Sequence, residues 1–102
     1  MSPALYIYAA IDWSNPFDLA HLEGIDGSSV TAIPVGEIAA MVTTIPSDLL
    51  STAAPEDLAR FAQEHQAVNQ ALLERTALVP LTFGTVAANS TEIQTMLARA
   101  TV

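Results

Sequence analysis

The stretch ALYIYAAID, residues 4–12, has the pattern of a β-strand. Apolar residues stand at every second position, and the set between them is also largely apolar, which suits a pleated strand with two covered or half-covered faces. The first set is Leu5, Ile7, Ala9 and Ile11, and the second is Tyr6, Tyr8, Ala10 and Asp12. We therefore predict that the chain begins with a strand from Ala4 to Asp12.

The segment after this strand carries signals for a short helix and a turn. Asn15 can cap a helix whose first position is Pro16, with Asp18 in its first turn. The residues expected to face inward from this helix are Phe17, Ala20 and Leu22. The cluster Gly24-Ile25-Asp26-Gly27 then predicts a turn.

Two further strands are predicted over Ser29–Pro34 and Glu37–Ile45, joined tightly around Val35-Gly36. Together they form a hairpin. Pro34 has no amide donor, so the first hairpin strand should lie at a sheet edge or end there.

The longest helix is predicted to begin at Pro55, with Glu56 and Asp57 near its positive end. Apolar residues and one histidine follow at spacings of three and four and form one stripe. The stripe consists of Leu58, Phe61, His65, Val68 and Leu72. The stripe predicts a helix that packs against a core.

The residues 77–86 are apolar and predict a buried strand, in which Pro80 indicates an edge or a bulge. Asn89 and Glu92 then stand in capping-box spacing before an amphipathic helix that reaches the last residues. No stop signal follows this helix, which indicates a natural chain that continues past Val102.

The predicted order is β-α-β-β-α-β with one additional C-terminal helix, the split βαβ arrangement. It corresponds to an α+β, ferredoxin-like fold in which helices pack against an antiparallel sheet. A chain of 102 residues has room for one core, so we expect a single domain over residues 1–102.

The composition narrows the classes of partner. Eleven acidic residues against three arginines give a net charge of −8, so nucleic acid and anionic membrane surfaces are poor partners. Only 14% of the residues are charged, against roughly 25% in an average soluble domain, which favours a buried partner interface. Cysteine is absent, which suits a reducing cytoplasm, and no apolar stretch is long enough for a membrane span.

Two stretches resemble the most recognisable part of the gas vesicle accessory protein F/L family (GvpL/GvpF). They are HQAVNQALL, residues 65–73, and LVPLTFGTV, residues 78–86. The opening strand, the turn at 24–27 and the hairpin strand at 38–42 also fit, so the resemblance extends over nearly the whole chain. Thr82 departs from the family pattern, which usually has a basic residue there, and any role of that charge is not carried over.

The resemblance implies a modified ferredoxin-like domain, the N-terminal domain of the family, without the usual C-terminal helical half. It implies a cytoplasmic protein of the gas vesicle that binds the shell protein and other accessory proteins. Such a protein helps to nucleate or organise vesicle formation and uses no cofactor or catalysis. The alternative is a small ferredoxin-like ligand-sensing module or a cofactor-free enzyme, since one fold hosts many activities.

His65 is the side chain that most invites a catalytic interpretation, because histidine titrates near neutrality. Its place in the apolar stripe instead favours a core or interface histidine that bonds to the backbone. A polar pocket in which His65 has a carboxylate partner would favour the enzyme alternative. His21 lies far away in sequence, and no metal-binding spacing occurs. We assign no catalytic, cofactor-binding or metal-binding residue.

Candidate partner-binding residues come from the aromatic cluster at the start of the chain and from the glycine of the last predicted strand. Tyrosine and tryptophan are enriched where partners bury a surface, and glycine lets another backbone approach closely. These residues are Tyr6, Tyr8, Trp13, Phe83 and Gly84. Ordinary packing is the competing interpretation.

Overall fold

The computed structural model describes residues 3–100 as a five-stranded sheet with three helices. The strands are β1 (Pro3–Asp12), β2 (Thr31–Val35), β3 (Ile38–Pro46), β4 (Leu78–Pro80) and β5 (Val86–Ala87). The helices are α1 (Leu49–Thr52), α2 (Pro55–Leu73) and α3 (Ser90–Ala100). The predicted run of the last helix through residues 101 and 102 lies outside the described residues.

The sheet is antiparallel throughout, with strand order β2-β3-β1-β4. Strand β3 pairs with β1 along its whole length, so β4 and β5 both pair with the other side of β1. The predicted α+β class, antiparallel sheet and extra C-terminal helix are confirmed. The ferredoxin-like connectivity stays a prediction, because the helix expected between the first two strands does not form.

The prediction of a helix beginning at Pro16 is wrong, because side chains hold this segment in turns. The carboxylate of Asp12 accepts hydrogen bonds from the Ser14 amide at 2.9 Å and the Ser14 hydroxyl at 2.7 Å. Asp18 accepts one from the Ala20 amide at 2.9 Å. Such local bonds compete with helix formation, and a segment this short does not repay helix nucleation.

Strand β1 contains a bulge at Tyr8, where its pairing with β3 shifts between Ile7 and Ala9. The extra residue reverses the alternation, so the predicted division of the strand into two faces is correct only up to Tyr8. The residues facing α2 are Ala4, Tyr6, Tyr8, Ala9 and Ile11, and those facing α3 are Leu5, Ile7 and Ala10. The bulge thus gives the α2 face two adjacent residues, Tyr8 and Ala9.

The predicted hairpin is confirmed as β2 and β3, joined by Gly36 and Glu37. Gly36 has φ of +62°, the conformation that the first central residue of a type II′ turn requires. Because Val35 and Ile38 close this two-residue turn, alternate residues of β2 point their backbone groups outward, and Pro34 is one of them. A proline without a donor therefore lies at the sheet edge, as predicted.

The predicted single buried strand over 77–86 is wrong in two respects. It is divided into β4 and β5. The Leu81 amide donates to the Tyr8 carbonyl and the Thr85 carbonyl accepts from the Ile7 amide, so residues 81 and 85 bond to adjacent residues of β1. Residues 82–84 therefore project from the sheet. It also forms an edge, where Val79 is 63% exposed. The expectation that Pro80 marks an edge is confirmed.

The two long helices cover opposite faces of the sheet. The predicted stripe of α2 is confirmed, with four of its five residues buried and Leu58 half-buried. On the other face, Ile93 and Leu97 of α3 are buried against Ile7 and Val42. Burying a large aliphatic side chain contributes about 1.5–3 kcal/mol, so both helices are held mainly by their apolar faces.

The predicted cap of α3 is also present. The Asn89 side-chain oxygen accepts from the Glu92 amide at 2.9 Å, and the Glu92 carboxylate accepts from the Ala88 amide at 3.4 Å.

We expect Asn89→Ala to lower the free energy of unfolding by about 1 kcal/mol, as measured by urea denaturation. Asn15→Ala is the matched control, because exposed Asn15 caps no helix, and it should change stability by less than about 0.5 kcal/mol. Equal effects of the two substitutions would contradict the capping role.

Candidate functional site

The five predicted partner-binding residues lie at different depths in the structure. Tyr6 and Tyr8 are fully buried beneath α2, whereas Trp13 and Phe83 are half-buried and Gly84 is exposed. Tyr6, Phe83 and Gly84 come together at the turn that separates β4 from β5, while Trp13 packs against Phe17 at a ring distance of 5.3 Å. Their role in binding stays a prediction, and the two tyrosines would serve it from beneath the surface.

A chain of hydrogen bonds joins the buried Tyr6 to α2 and to the projecting turn. The Tyr6 hydroxyl lies 2.7 Å from His65 Nδ1 and accepts from the Gly84 amide at 3.1 Å. His65 Nε2 lies 3.0 Å from the Leu81 carbonyl oxygen. A carbonyl only accepts, so Nε2 carries the imidazole proton and Nδ1 accepts from the Tyr6 hydroxyl. We call these four residues, Tyr6, His65, Leu81 and Gly84, the Tyr6–His65 cluster.

Every group in this cluster is uncharged at neutral pH. Burial lowers the pKa of His65, an effect that the bond to Leu81 partly opposes. Burial raises the pKa of Tyr6 to about 12, and the bond from the Gly84 amide opposes this only in part. The accepting nitrogen of His65 is occupied by the Tyr6 hydroxyl. The other bonds of the cluster reach the Leu81 carbonyl and the Gly84 amide, so the cluster holds the turn on the sheet. The interpretation of His65 as a core histidine bonded to the backbone is confirmed.

Aromatic rings surround the cluster and fix its geometry. The ring centroids of Tyr6 and His65 are 5.6 Å apart, and Phe83 lies within 6.1 Å of Tyr6 and 5.9 Å of His65. Edge-to-face and tilted ring pairs of this kind add about 0.5–1.5 kcal/mol each beyond burial. The turn carrying exposed Thr82 and Gly84 is therefore held from below by packed rings as well as by hydrogen bonds.

Two grooves flank β4, one on each face of the sheet. The α2-side groove has a volume of about 320 Å³ and is lined by His65, Gln66, Asn69, Gln70, Leu73, Leu78 and Pro80. The α3-side groove has a volume of about 540 Å³ and is lined by Ala10, Ile11, Asp12, Ile38, Ala77, Leu78 and Val79. The lining of the α2-side groove includes His65 but no carboxylate, so the arrangement that would favour an enzyme is not found there.

Sequence reasoning missed the residues that make this region distinctive. Leu73 and Val79 are each 63% exposed although both are large and apolar, and neither was proposed as a binding residue. Their exposure depends on where the sheet ends, which no local pattern states. Within residues 3–100, no three side chains of His, Asp or Glu gather as metal ligands, and no helix has the length and hydropathy to span a membrane.

The low pKa of His65 makes stability depend on pH. Unfolded histidine protonates near pH 6.5, whereas folded His65 does so at a lower pH. Between these two pKa values the unfolded state binds more protons, so we expect the free energy of unfolding to fall as the pH falls below about 6.5. Urea denaturation across this range should show the slope. The slope should become shallower in His65→Gln and stay as steep as in the wild type in His21→Gln, and an unchanged slope in His65→Gln would contradict the assignment.

Comparisons with known proteins bear on what this arrangement serves. Neither a search of curated proteins nor a search of solved structures found a significant match. The model of one protein family, described as gas vesicle synthesis protein GvpL/GvpF, matches residues 4–101. That match includes β1 from Ala4 onward, both long helices and the Tyr6–His65 cluster. The chain therefore belongs to the GvpL/GvpF family of gas vesicle synthesis proteins.

Proposed function

We propose that this chain is a non-catalytic gas vesicle assembly domain. It binds the gas vesicle shell protein and other accessory proteins in the cytoplasm and helps to nucleate or organise the vesicle. The observation that carries the proposal is the family match over residues 4–101. We further infer that the sheet is a modified ferredoxin-like sheet, because its strand order β2-β3-β1-β4 suits that arrangement even without the first helix.

The structure supports a binding role through the use that it makes of its buried polar groups. His65 and Tyr6 bond to each other and to the backbone of residues 81 and 84. A general base has to reach the proton that it removes, and the accepting nitrogen of His65 is occupied by Tyr6. These groups hold the turn at residues 82–84 in a fixed conformation, and a fixed surface is what a partner-binding domain requires.

The proposal is tested by measuring binding between the purified full chain and the gas vesicle shell protein, for example by biolayer interferometry. An unrelated acidic protein of similar size is the control for charge alone. We expect saturable binding by this chain only. Absence of binding to the shell protein and to the other gas vesicle accessory proteins would overturn the proposed function.

Trp13 offers a second test of how the domain recognises its partner. Trp13→Ala removes the ring that packs on Phe17. A folded variant that no longer binds would support a role of Trp13 in recognition. An unfolded variant would assign Trp13 to packing instead.

A further inference from the structure

The free edge of β4 presents a defined set of backbone groups. The Asp12 amide donates to the Ala77 carbonyl and the Leu81 amide donates to the Tyr8 carbonyl. In an antiparallel pair of strands, hydrogen-bonded and non-hydrogen-bonded residue pairs alternate. Val79 and Ala10 therefore form a hydrogen-bonded pair, and the backbone groups of Leu78 and Pro80 point away from β1. The outer edge of β4 therefore offers one donor, the Leu78 amide, and two acceptors, the Leu78 and Pro80 carbonyls.

Apolar grooves continue this edge on both faces of the sheet. Side chains of a strand alternate between faces, so Pro80 lines only the α2-side groove and Val79 only the α3-side groove, while Leu78 borders both. A strand laid along β4 would direct its alternate side chains into one groove and then the other. This is the geometry by which sheet edges bind extended peptides.

The exposed apolar side chains of the molecule concentrate at the same edge. Leu73, at the end of α2, and Val79 are the most exposed large hydrophobic residues that the structure describes. Val86 of β5, on the same side of β1, is 48% exposed. An added strand along β4 would cover Val79 and would lie beside Leu73, which lines the α2-side groove.

The charge around this edge indicates the chemistry of its occupant. Asp12 lines the α3-side groove, and none of the described residues lining either groove is Lys or Arg. Two hydrogen bonds from Ser14 lower the pKa of Asp12, so the carboxylate is ionised at neutral pH. A lysine or arginine in the partner strand would therefore complement Asp12.

We propose that the β4 edge binds an extended apolar segment of a partner protein as an added strand, with a lysine or arginine of that segment beside Asp12. The inference rests on the proposed function for the existence of a gas vesicle partner, and it adds the surface and the mode of binding. A second copy of this chain is a poor occupant, because two chains of net charge −8 repel each other. The opposite edge, β2, is flanked by the loop at residues 17–22.

Amide hydrogen exchange of the full chain, with and without saturating shell protein, tests the geometry. The Leu78 amide points to the open edge, so its exchange should slow by at least about tenfold in the complex. The Val79 amide already faces β1 and should change little. Unchanged Leu78 exchange in a saturated complex would overturn the assignment, as would slow Leu78 exchange that depends only on the concentration of this chain and reports self-association.

Two lysine variants separate the edge from general effects of charge. Val79→Lys places a cation in the α3-side groove and should weaken binding to the shell protein by at least about tenfold. Met96→Lys makes the same change in charge on α3, at a residue that is 37% exposed and lines neither groove, and should stay within about twofold. Circular dichroism establishes that both variants are folded.

A third variant tests the predicted charge pairing. Asp12→Asn keeps an oxygen that can accept from Ser14, so the local turn is retained, but it removes the negative charge. It should therefore weaken binding by about two- to fivefold and make binding depend less on salt concentration. If the wild type binds and the edge variants bind equally well, the β4 assignment fails and the proposed function stands. If the wild type does not bind, the proposed function fails and this inference falls with it.

Discussion

Gly24→Ala is expected to lower the free energy of unfolding by about 3 kcal/mol, because the added methyl group has no room. A Cβ at this position would overlap the Tyr8 hydroxyl and lie 3.0 Å from Tyr8 Cζ and 3.1 Å from Ser28 Oγ. Tyr8 is fully buried and its hydroxyl accepts from the Ile25 amide at 2.8 Å, so it has little room to move. Gly24 has φ of −93°, which alanine adopts freely, so the cost is steric.

A double-mutant cycle with Tyr8→Phe tests this explanation. Removing the hydroxyl removes the worst overlap, so the double variant should be more stable than the sum of the two single effects predicts, by at least about 1 kcal/mol. Tyr8→Phe alone should cost about 1 to 2 kcal/mol, because the Ile25 amide loses its acceptor. Urea denaturation of the four proteins measures the coupling. Additive effects would show that Gly24 is required for a reason other than Tyr8.

Tyr6→Phe is expected to lower the free energy of unfolding by about 2 kcal/mol and the Tm by roughly 10 °C. The ring and its contacts with Tyr8 and His65 remain, whereas His65 Nδ1 loses its donor and the Gly84 amide loses its acceptor. Removing one partner of a buried hydrogen bond costs more than the bond contributes, because the other group stays desolvated. The substitution therefore measures the hydrogen bonds of the cluster rather than its packing.

The local effect of Tyr6→Phe distinguishes this account from a general loss of stability. The Gly84 amide should exchange faster relative to the amides of α3, because the turn at 82–85 loses its bond to the core. Thermal denaturation and amide-resolved exchange provide the two measurements. Equal changes at Gly84 and in α3 would indicate that the Tyr6 hydroxyl does not hold the turn.

Several elements could be predicted from local sequence because their causes are local. The long helix has a proline at its start and an apolar stripe at helical spacing, and α3 has a capping side chain at Asn89. Pro34 and Pro80 could be placed at edges because a residue without an amide donor cannot occupy an interior strand position. The resemblance to the GvpL/GvpF family likewise rested on ordered local motifs.

Other features depended on contacts between distant residues. The segment after β1 is the exception, because hydrogen bonds over only two residues, to Asp12 and Asp18, decided between its helix and turn signals. The split between β4 and β5 arises because residues 81 and 85 bond to adjacent residues of β1. The sequence predicts partner binding for Tyr6 and Tyr8 but does not show that both are buried, because the packing of α2 over them determines their depth.

The strand over residues 4–12 shows which features the local sequence determines and which ones depend on tertiary contacts. Its sequence by itself determined that residues 4–12 form a strand with two apolar faces, because alternation is a property of neighbouring residues. Only the tertiary structure decided that a bulge at Tyr8 places Tyr8 and Ala9 on the same face, that this face lies under α2, and that the Tyr6 hydroxyl meets His65. Tyr6 and His65 are 59 residues apart, and packing of α2 on the sheet brings them into contact.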